Sequence, residues 1–431
     1  MKKIIDNIFY FDGCSVVDLA EKYGTPLYIY SENIILSKIS EIKDSFLEKY
    51  ENTRAAYAGK AFLTLSMCKL LEREGMCLDV VSGGELYTAV KADFPSEKIE
   101  FNGNNKSPEE IEMALDYNIG RFIVDNIYEL ELLEKKCKEK NTKANIVFRI
   151  TPGVSSNTHK YITTGTKDSK FGIPLDESII FPSIKKALDS KYINFLGFHY
   201  HVGSQLFDNS SHVGALDAVL QLIKEVKERF NYNIKEFNMG GGFGIKYTEK
   251  DDPKPISYFV DPMMEKLNKL CNDIGILRPA VVMEPGRFIV GEAGIQIYTV
   301  GSIKEIPNIR TYVSVDGGMT DNIRPGLYQA EYTGFLGSRA DDKKNTLVTI
   351  SGKCCESTDI LIEDLNIPKP EPEDLLVVLS TGAYGYSMAN NYNKIPIPAV
   401  VMVNNGKSNI IVNRQTYDNM ICREVIPDRF K

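Results

Sequence analysis

Lys60 stands in the run Tyr57-Ala58-Gly59-Lys60-Ala61, directly after a β-rich stretch. Small neighbours leave its amine approachable, and an amine so placed can form a Schiff base with an aldehyde. Alone it is one lysine among many, most of which are simply solvated. Three other segments carry residue types that extend the chemistry. Phe198-His199-Tyr200-His201-Val202-Gly203-Ser204-Gln205 holds two of the chain's four histidines, each readable as a buried structural ring or as a flat surface for a planar ligand. Asn238-Met239-Gly240-Gly241-Gly242-Phe243-Gly244 is either a plain turn or a run whose backbone N–H groups can approach an anion closely. Glu284-Pro285-Gly286-Arg287 places a carboxylate beside a guanidinium, as a surface ion pair or as part of a site.

All four segments end predicted strands. Strand-like runs occur at Arg54–Ala58, Cys77–Val81, Lys98–Phe101, Arg121–Val124, Ala144–Ile150, Ile193–Phe198, Ile234–Asn238 and Ala280–Met283. Between them the apolar spacing is helical. Leu65, Leu70 and Leu71 precede Gly75, Ile111 and Leu115 precede Gly120, and Leu216, Val219, Ile223 and Val226 form one face. Strict alternation of strand and helix requires parallel strands. Eight such units predict an α/β fold, a (β/α)8 barrel of the TIM type, with a doubly wound open sheet as the alternative. The barrel is expected over residues 35–287. Beyond Arg287 the runs Tyr312–Val315, Leu347–Ile350, Leu375–Leu379, Val400–Val403 and Ile410–Val412 are separated by Gly, Pro and Asn, and little is helical. Residues 288–431, joined by residues 1–34 with their own strand Leu27–Tyr30, therefore read as an antiparallel β domain, a sandwich or small barrel. The loop Asn157–Lys170 is long and lies where barrel active-site loops lie.

Composition narrows the class. The chain has 431 residues and a formal net charge of −7, with both signs interspersed and no basic stripe, which argues against nucleic acid. Apolar runs are too short to span a bilayer, and Asp6 and Asn7 interrupt what would be a signal peptide's apolar stretch. Eight scattered cysteines without a C-x-x-C pair suggest free thiols in a reducing cytoplasm. The adjacent pair Cys354-Cys355 stands apart from the rest.

Barrel enzymes place catalysis at the C-terminal strand ends and often bind phosphate after strands seven and eight. Those ends here supply an aldehyde-trapping lysine, an anion cradle, a flat stacking side chain and a carboxylate. Pyridoxal 5'-phosphate requires all four, and no metal is expected. Glu284 facing the pyridine nitrogen would favour its protonated form, which draws electrons away from the reacting carbon when CO2 leaves.

With these residues in view, the sequence resembles the diaminopimelate decarboxylase family, among the barrel-fold pyridoxal-phosphate enzymes that include ornithine and arginine decarboxylases and alanine racemase. The likeness runs from about Gly24 to Arg414. It rests on the four segments above and on Leu78-Asp79-Val80-Val81-Ser82-Gly83-Gly84-Glu85, Asn102-Gly103-Asn104-Asn105-Lys106, Lys170-Phe171-Gly172, Arg324-Pro325 with Tyr328, Cys355-Glu356-Ser357 with Asp359, and Gly382-Ala383-Tyr384. Phe62 stands where the family often has Asn, and Val400 where it often has Glu.

The resemblance implies that Lys60 bonds the cofactor, His201 stacks on its ring and Glu284 pairs with its nitrogen. It implies that Ser204, the Gly240, Gly241 and Gly242 backbone and Tyr384 bind its phosphate. Arg287, Arg324, Tyr328, Glu356 and Tyr384 are implied to meet the substrate, with Cys355 returning a proton after CO2 departs. In this family Cys355 and Glu356 reach across a two-fold interface, which implies a homodimer with shared active sites. The implied reaction converts meso-2,6-diaminopimelate to L-lysine, decarboxylating the D-configured centre.

Substrate choice turns on the distal carboxylate. Arginine binds carboxylate bidentately and would repel a simple diamine tail, so Arg324 favours diaminopimelate over ornithine. Decarboxylation of another basic amino acid such as D-ornithine or D-lysine is the nearest alternative. A racemase on the same barrel would place arginine, not Glu284, at the pyridine nitrogen. A relative that only binds another decarboxylase need not keep Lys60, Cys355 or the glycine run.

Overall fold

The computed structural model describes residues 2–153 and 168–431. Of the long loop Asn157–Lys170, all but the last three residues lie outside the described residues. The chain divides into two compact units. One comprises Lys38–Ile245 and Asp252–Phe288, and the other Met1–Ser37, Lys246–Asp251 and Ile289–Lys431.

The first unit is a closed parallel barrel of eight strands: β1 Thr53–Ala58, β2 Cys77–Val80, β3 Ile99–Phe101, β4 Arg121–Val124, β5 Ala144–Thr151, β6 Ile193–His199, β7 Glu236–Asn238 and β8 Ala280–Met283. Each pairs in parallel with both sequence neighbours, and β8 pairs with β1 to close the ring. Helices between them start on side-chain caps that satisfy first-turn N–H groups. Ser82 accepts from Glu85, Asn126 from Glu129, and Ser107 forms a capping box with Glu110 followed by Pro108. These caps lie a few residues beyond the strand ends, so they also set where each barrel-mouth side chain emerges.

Barrel interiors are usually filled by branched apolar residues. This one contains a charged layer. Glu236 of β7 pairs with Arg54 of β1 and lies 3.2 Å from Arg121 of β4, whose Nη1 is 3.6 Å from Glu100 of β3. Ala56, Cys77 and Val282 form a small apolar cluster contributed by β1, β2 and β8. Burying the charges of Arg54, Glu236 and Arg121 costs solvation free energy, offset only because each has an opposite charge within reach.

The second unit is built around the long strand Gly294–Ile306. Its first half is buried, and it pairs antiparallel with Leu27–Ser31, Arg310–Val315 and Leu375–Val378. The sheet continues outward through Thr346–Ser351 and Ile360–Ile367 on one side, and through Ala399–Asn404 and Lys407–Val412 on the other. Most ladders are antiparallel; the two parallel ones join Arg310–Val315 to Thr346–Ser351 and Leu27–Ser31 to Ala399–Asn404. Gly334–Leu336 pairs antiparallel with Leu375–Val378, and a small antiparallel sheet of Lys2–Ile5, Ile8–Phe11 and Cys14–Ser15 completes the unit's strands among the described residues. No helix among them is long and apolar enough to cross a membrane.

Candidate active site

In the barrel unit, the sequence-predicted residues gather at the C-terminal strand ends. Lys60 sits in a single 3-10 turn, Gly59–Ala61, immediately after β1, with its side chain exposed. Glycine suits position 59, since a Cβ would come within 3.1 Å of the Asp79 carbonyl. The Lys60 ammonium lies close enough to act electrostatically on Asp79, Glu85, His199 and His201. Lys106, a second lysine of the motifs, is buried and immobilised by the Gly103 and Ile123 carbonyls and the Glu129 carboxylate. Its amine is committed to the fold, which leaves Lys60 as the accessible nucleophile of the pair.

Glu284, at the end of β8, is buried. Its Oε1 accepts from Asn238 Nδ2 at 2.9 Å and lies 3.0 Å from His199 Nε2 and 3.5 Å from Asn102 Nδ2. Burial opposes its charge, but these polar partners, His199 above all, outweigh burial and hold the carboxyl well below the usual carboxylate range. Carboxylate oxygens of Asp79 and Glu100 lie within 4.8 Å of it. Burial, then the charge of Glu284, push both upward. Three carboxyls this close cannot all ionise, and Glu284 is the one that carries the charge. Burial pushes the His199 imidazole down from its ordinary value, against the pull of Glu284.

The glycine run is tightly enclosed. A Cβ on Gly240 would stand 2.4 Å from the Tyr200 carbonyl, on Gly241 2.1 Å from that of Glu284, and on Gly242 2.3 Å from that of Gly203. Gly240 and Gly242 also have positive φ. The ends of β6, β7 and β8 can therefore meet only if all three residues lack side chains. The Gly240 N–H donates to Asn238 Oδ1 at 2.9 Å, and the Gly241 N–H points to His201 Nδ1 at 3.3 Å. His212, from the helix Ser210–Phe230, bonds the Gly241 carbonyl through Nε2 at 2.9 Å. Arg287 donates through Nη2 to Ser204 Oγ at 3.0 Å, joining two of the predicted residues. Gln205 is structural, bonding the Ile245 backbone through both ends of its amide.

In the β unit, Arg324 opens the short helix Arg324–Tyr328 and is buried. Its Nη1 donates to Tyr247 Oη at 3.0 Å and Tyr332 Oη at 2.5 Å. The guanidinium also faces the rings of Tyr247, Tyr332 and Tyr384 at 5.1, 5.6 and 5.9 Å. Burial acts against its charge, and the tyrosine hydroxyls outweigh it. Tyr384 is held at φ 62°, an uncommon conformation for an aromatic residue. Asp321 secures the turn before Arg324. Its carboxylate accepts Tyr298 Oη at 2.7 Å and the Gly318 N–H at 3.3 Å, and its carbonyl accepts Tyr28 Oη at 2.5 Å and Gln296 Nε2 at 3.1 Å. Tyr328, at the far end of the short helix, is half-buried.

Cys355 and Glu356 lie exposed on the loop between Thr346–Ser351 and Ile360–Ile367. Asp359 ties that loop down, accepting the N–H groups of Cys354 at 2.8 Å and Met319 at 2.7 Å. The neighbouring Cys354 is partly covered, and burial with Asp359 beside it pushes its thiol up to about 11. Of the adjacent pair, Cys355 is therefore the approachable thiol.

Sequence reasoning singled out neither His199 nor Asn238, Asp79 or Asn102 as site residues. All but Asp79 share one signal, spacing by two along a strand whose other face is apolar. Asn238 follows Glu236, His201 follows His199 and Asn102 follows Glu100, so each pair faces the barrel interior.

Comparison with known proteins agrees with this arrangement. A family profile described as "Pyridoxal-dependent decarboxylase, pyridoxal binding domain" matches residues 36–291. The chain is 49% identical over 413 residues to a diaminopimelate decarboxylase of Bacillus methanolicus, covering 95% of this chain and 96% of that one. It is 48% identical over 409 residues to that of Bacillus subtilis, covering 95% and 93%. The crystal structure of the M. jannaschii diaminopimelate decarboxylase in complex with L-lysine superposes with a TM-score of 0.94 at 38% identity, covering 100% of this chain and 99% of that one. A full-length likeness of this kind, on a barrel with an accessible lysine, an enclosed glycine run and a buried carboxylate at its mouth, means that the chain belongs to the diaminopimelate decarboxylase family of pyridoxal-dependent decarboxylases.

Proposed function

We propose that this protein decarboxylates meso-2,6-diaminopimelate to L-lysine and CO2 with pyridoxal 5'-phosphate, the last step of lysine biosynthesis. The observation that carries the reading is Glu284, held ionised at the barrel mouth by His199 and Asn238. When bound, the cofactor supplies an electron-withdrawing ring, which a carboxylate at its nitrogen strengthens. The donor set suits that group: an accessible amine, a hydroxyl on Ser204 braced by Arg287, and a glycine run that admits no side chain.

Lys60 Nζ would hold the cofactor at its aldehyde, and His201, whose Nδ1 is turned to the Gly241 amide, would cover its ring. Ser204, the Gly240–Gly242 backbone and Tyr384 would hold its phosphate. Arg324 and Tyr328 would take the distal carboxylate of the substrate, Arg287, bonded to Ser204, would also meet the substrate, and Glu356 would accept the distal ammonium. Cys355 Sγ delivers a proton to the reacting carbon. Two copies assemble as a homodimer in which Cys355 and Glu356 of one copy serve the barrel of the other. The barrel spans residues 35–287 and the β domain residues 1–34 and 288–431. The enzyme works in the cytoplasm, in keeping with its eight free thiols.

Borohydride reduction of the holoenzyme followed by peptide mapping tests the assignment of the cofactor. The pyridoxyl group belongs on Lys60, and recovery on any other lysine would refute the site.

A further inference from the structure

We propose that Asn238 is a positioning residue that couples two anchor points of the cofactor, joining the carboxylate assigned to the ring nitrogen to the glycine run assigned to the phosphate. The inference rests on the cofactor assignment above. Asn238 is the last residue of β7 and is fully buried. Its Nδ2 lies 2.9 Å from Glu284 Oε1 and 3.2 Å from Glu100 Oε1, while its Oδ1 accepts the Gly240 N–H at 2.9 Å. Its carbonyl accepts the Tyr200 N–H at 3.1 Å, so its backbone is held as well.

Chemistry fixes the orientation of this amide. The Gly240 N–H can only donate, so the atom facing it must be the oxygen. The NH2 group then faces two carboxyl oxygens, each an acceptor. A flipped amide would set oxygen against oxygen and N–H against N–H, breaking all three contacts at once. One rigid plane thus links the end of β8 to the start of the glycine run. Glu284 cannot rotate away without losing a donor, and Gly240 cannot turn its peptide without losing an acceptor. Glu100 accepts from the same NH2 group and so adds a third point that fixes the amide plane.

The two arms can be cut separately. Asn238→Asp is nearly isosteric and keeps an oxygen for Gly240, but it removes the donor to Glu284 and sets a third oxygen against two carboxyls. Asn238→Ala cuts both arms. Three readouts apply to the holoenzyme: the 15N resonance of pyridine-labelled cofactor, the 31P resonance of its phosphate, and the dissociation constant for pyridoxal 5'-phosphate. Asn238→Asp should move the 15N signal and its pH midpoint while leaving 31P in place. Asn238→Ala should move both signals and weaken cofactor binding about tenfold or more, the effect of losing a buried hydrogen bond to a charged group.

If both variants bind cofactor with wild-type 15N and 31P signals, Asn238 is only a packing residue and the proposal fails, even if turnover falls. If Asn238→Asp moves 31P as strongly as 15N, the arms are not separate and the proposal also fails. Borohydride mapping of the same samples separates this from failure of the site itself, because a label away from Lys60 overturns the assignment on which the inference stands. Asn238→Ser, which retains a hydroxyl for Gly240, replaces Asn238→Asp should the acid disturb folding, and should likewise move 15N alone.

Discussion

His199 Nε2 lies 3.0 Å from Glu284 Oε1, and both side chains are buried. His199 is the last residue of β6 and Glu284 directly follows β8, so the contact joins two strand ends. Burial pushes the imidazole down from its ordinary value while Glu284 pulls it up, and His199 in turn holds the Glu284 carboxyl down. His199→Phe leaves a buried carboxylate short of one partner and should move the proton balance toward neutral Glu284. A contact to a charged group is worth about 1.5–3 kcal/mol, so kcat/KM should fall roughly ten- to a hundredfold. Steady-state kinetics check this, and a variant as active as wild type would remove His199 from the account.

Arg324 is expected to select the substrate by its distal carboxylate. Arg324→Ala should lower kcat/KM for diaminopimelate by about ten- to a hundredfold, with cofactor content near normal. Its preference for diaminopimelate over lysine should shrink. Tyr247→Phe and Tyr332→Phe each remove one hydroxyl that holds the guanidinium. Each should cost less, about two- to tenfold, as for a single neutral hydrogen bond. Loss of cofactor in Arg324→Ala, or wild-type turnover, would transfer support to a decarboxylase of D-ornithine or D-lysine.

Asp321 should make stability depend on pH. Burial pushes its carboxyl up to about 7, against about 3.9 in an unfolded chain. The folded state therefore favours the protonated form. Its contribution is fully present below about pH 4, is lost as pH rises through about 7, and is constant above that. Thermal midpoints measured from pH 5 to 8 should fall more steeply for the wild type than for Asp321→Asn, which cannot ionise. Parallel curves would show that Asp321 does not titrate in this window.

Sharing of sites between subunits has a direct test. Lys60→Ala and Cys355→Ala subunits should each be inactive alone. Mixed and reassociated, they should regain activity, because one of the two hybrid sites has both residues. Proven heterodimers without activity would contradict the shared arrangement.

Much of the barrel was legible because its strands are short apolar runs bracketed by capped helices. Arg121–Val124 and Ala280–Met283 match residue for residue, and the others end within two residues of expectation. The strand ends follow the same pattern, so Lys60, His201, the glycine run and Glu284 could be placed from order alone. The long strand Gly294–Ile306 was not anticipated. Its first half is buried on both faces and shows no alternation, while its second half is exposed and carries Lys304 and Glu305. Ile360–Ile367 escaped for a related reason, since Glu363-Asp364 reads as a turn and Asp364 does take a positive φ. Nor did the sequence suggest that Lys246–Asp251, inserted between barrel strands, groups with the β unit and brings Tyr247 to Arg324. His199 and Asn238 were missed because each is a polar residue beside a more conspicuous motif, and only the three-dimensional meeting of β6, β7 and β8 on Glu284 reveals its part.

The central claim is the identity of the substrate, and product analysis tests it most directly. The purified holoenzyme is offered meso-diaminopimelate, L-lysine, D-lysine, L-ornithine and D-ornithine separately, with CO2 release and amino-acid products measured together. The account predicts CO2 and L-lysine in equal amounts from meso-diaminopimelate, with far slower release from the others. Faster decarboxylation of any lysine or ornithine isomer, or CO2 from diaminopimelate without matching L-lysine, would contradict it.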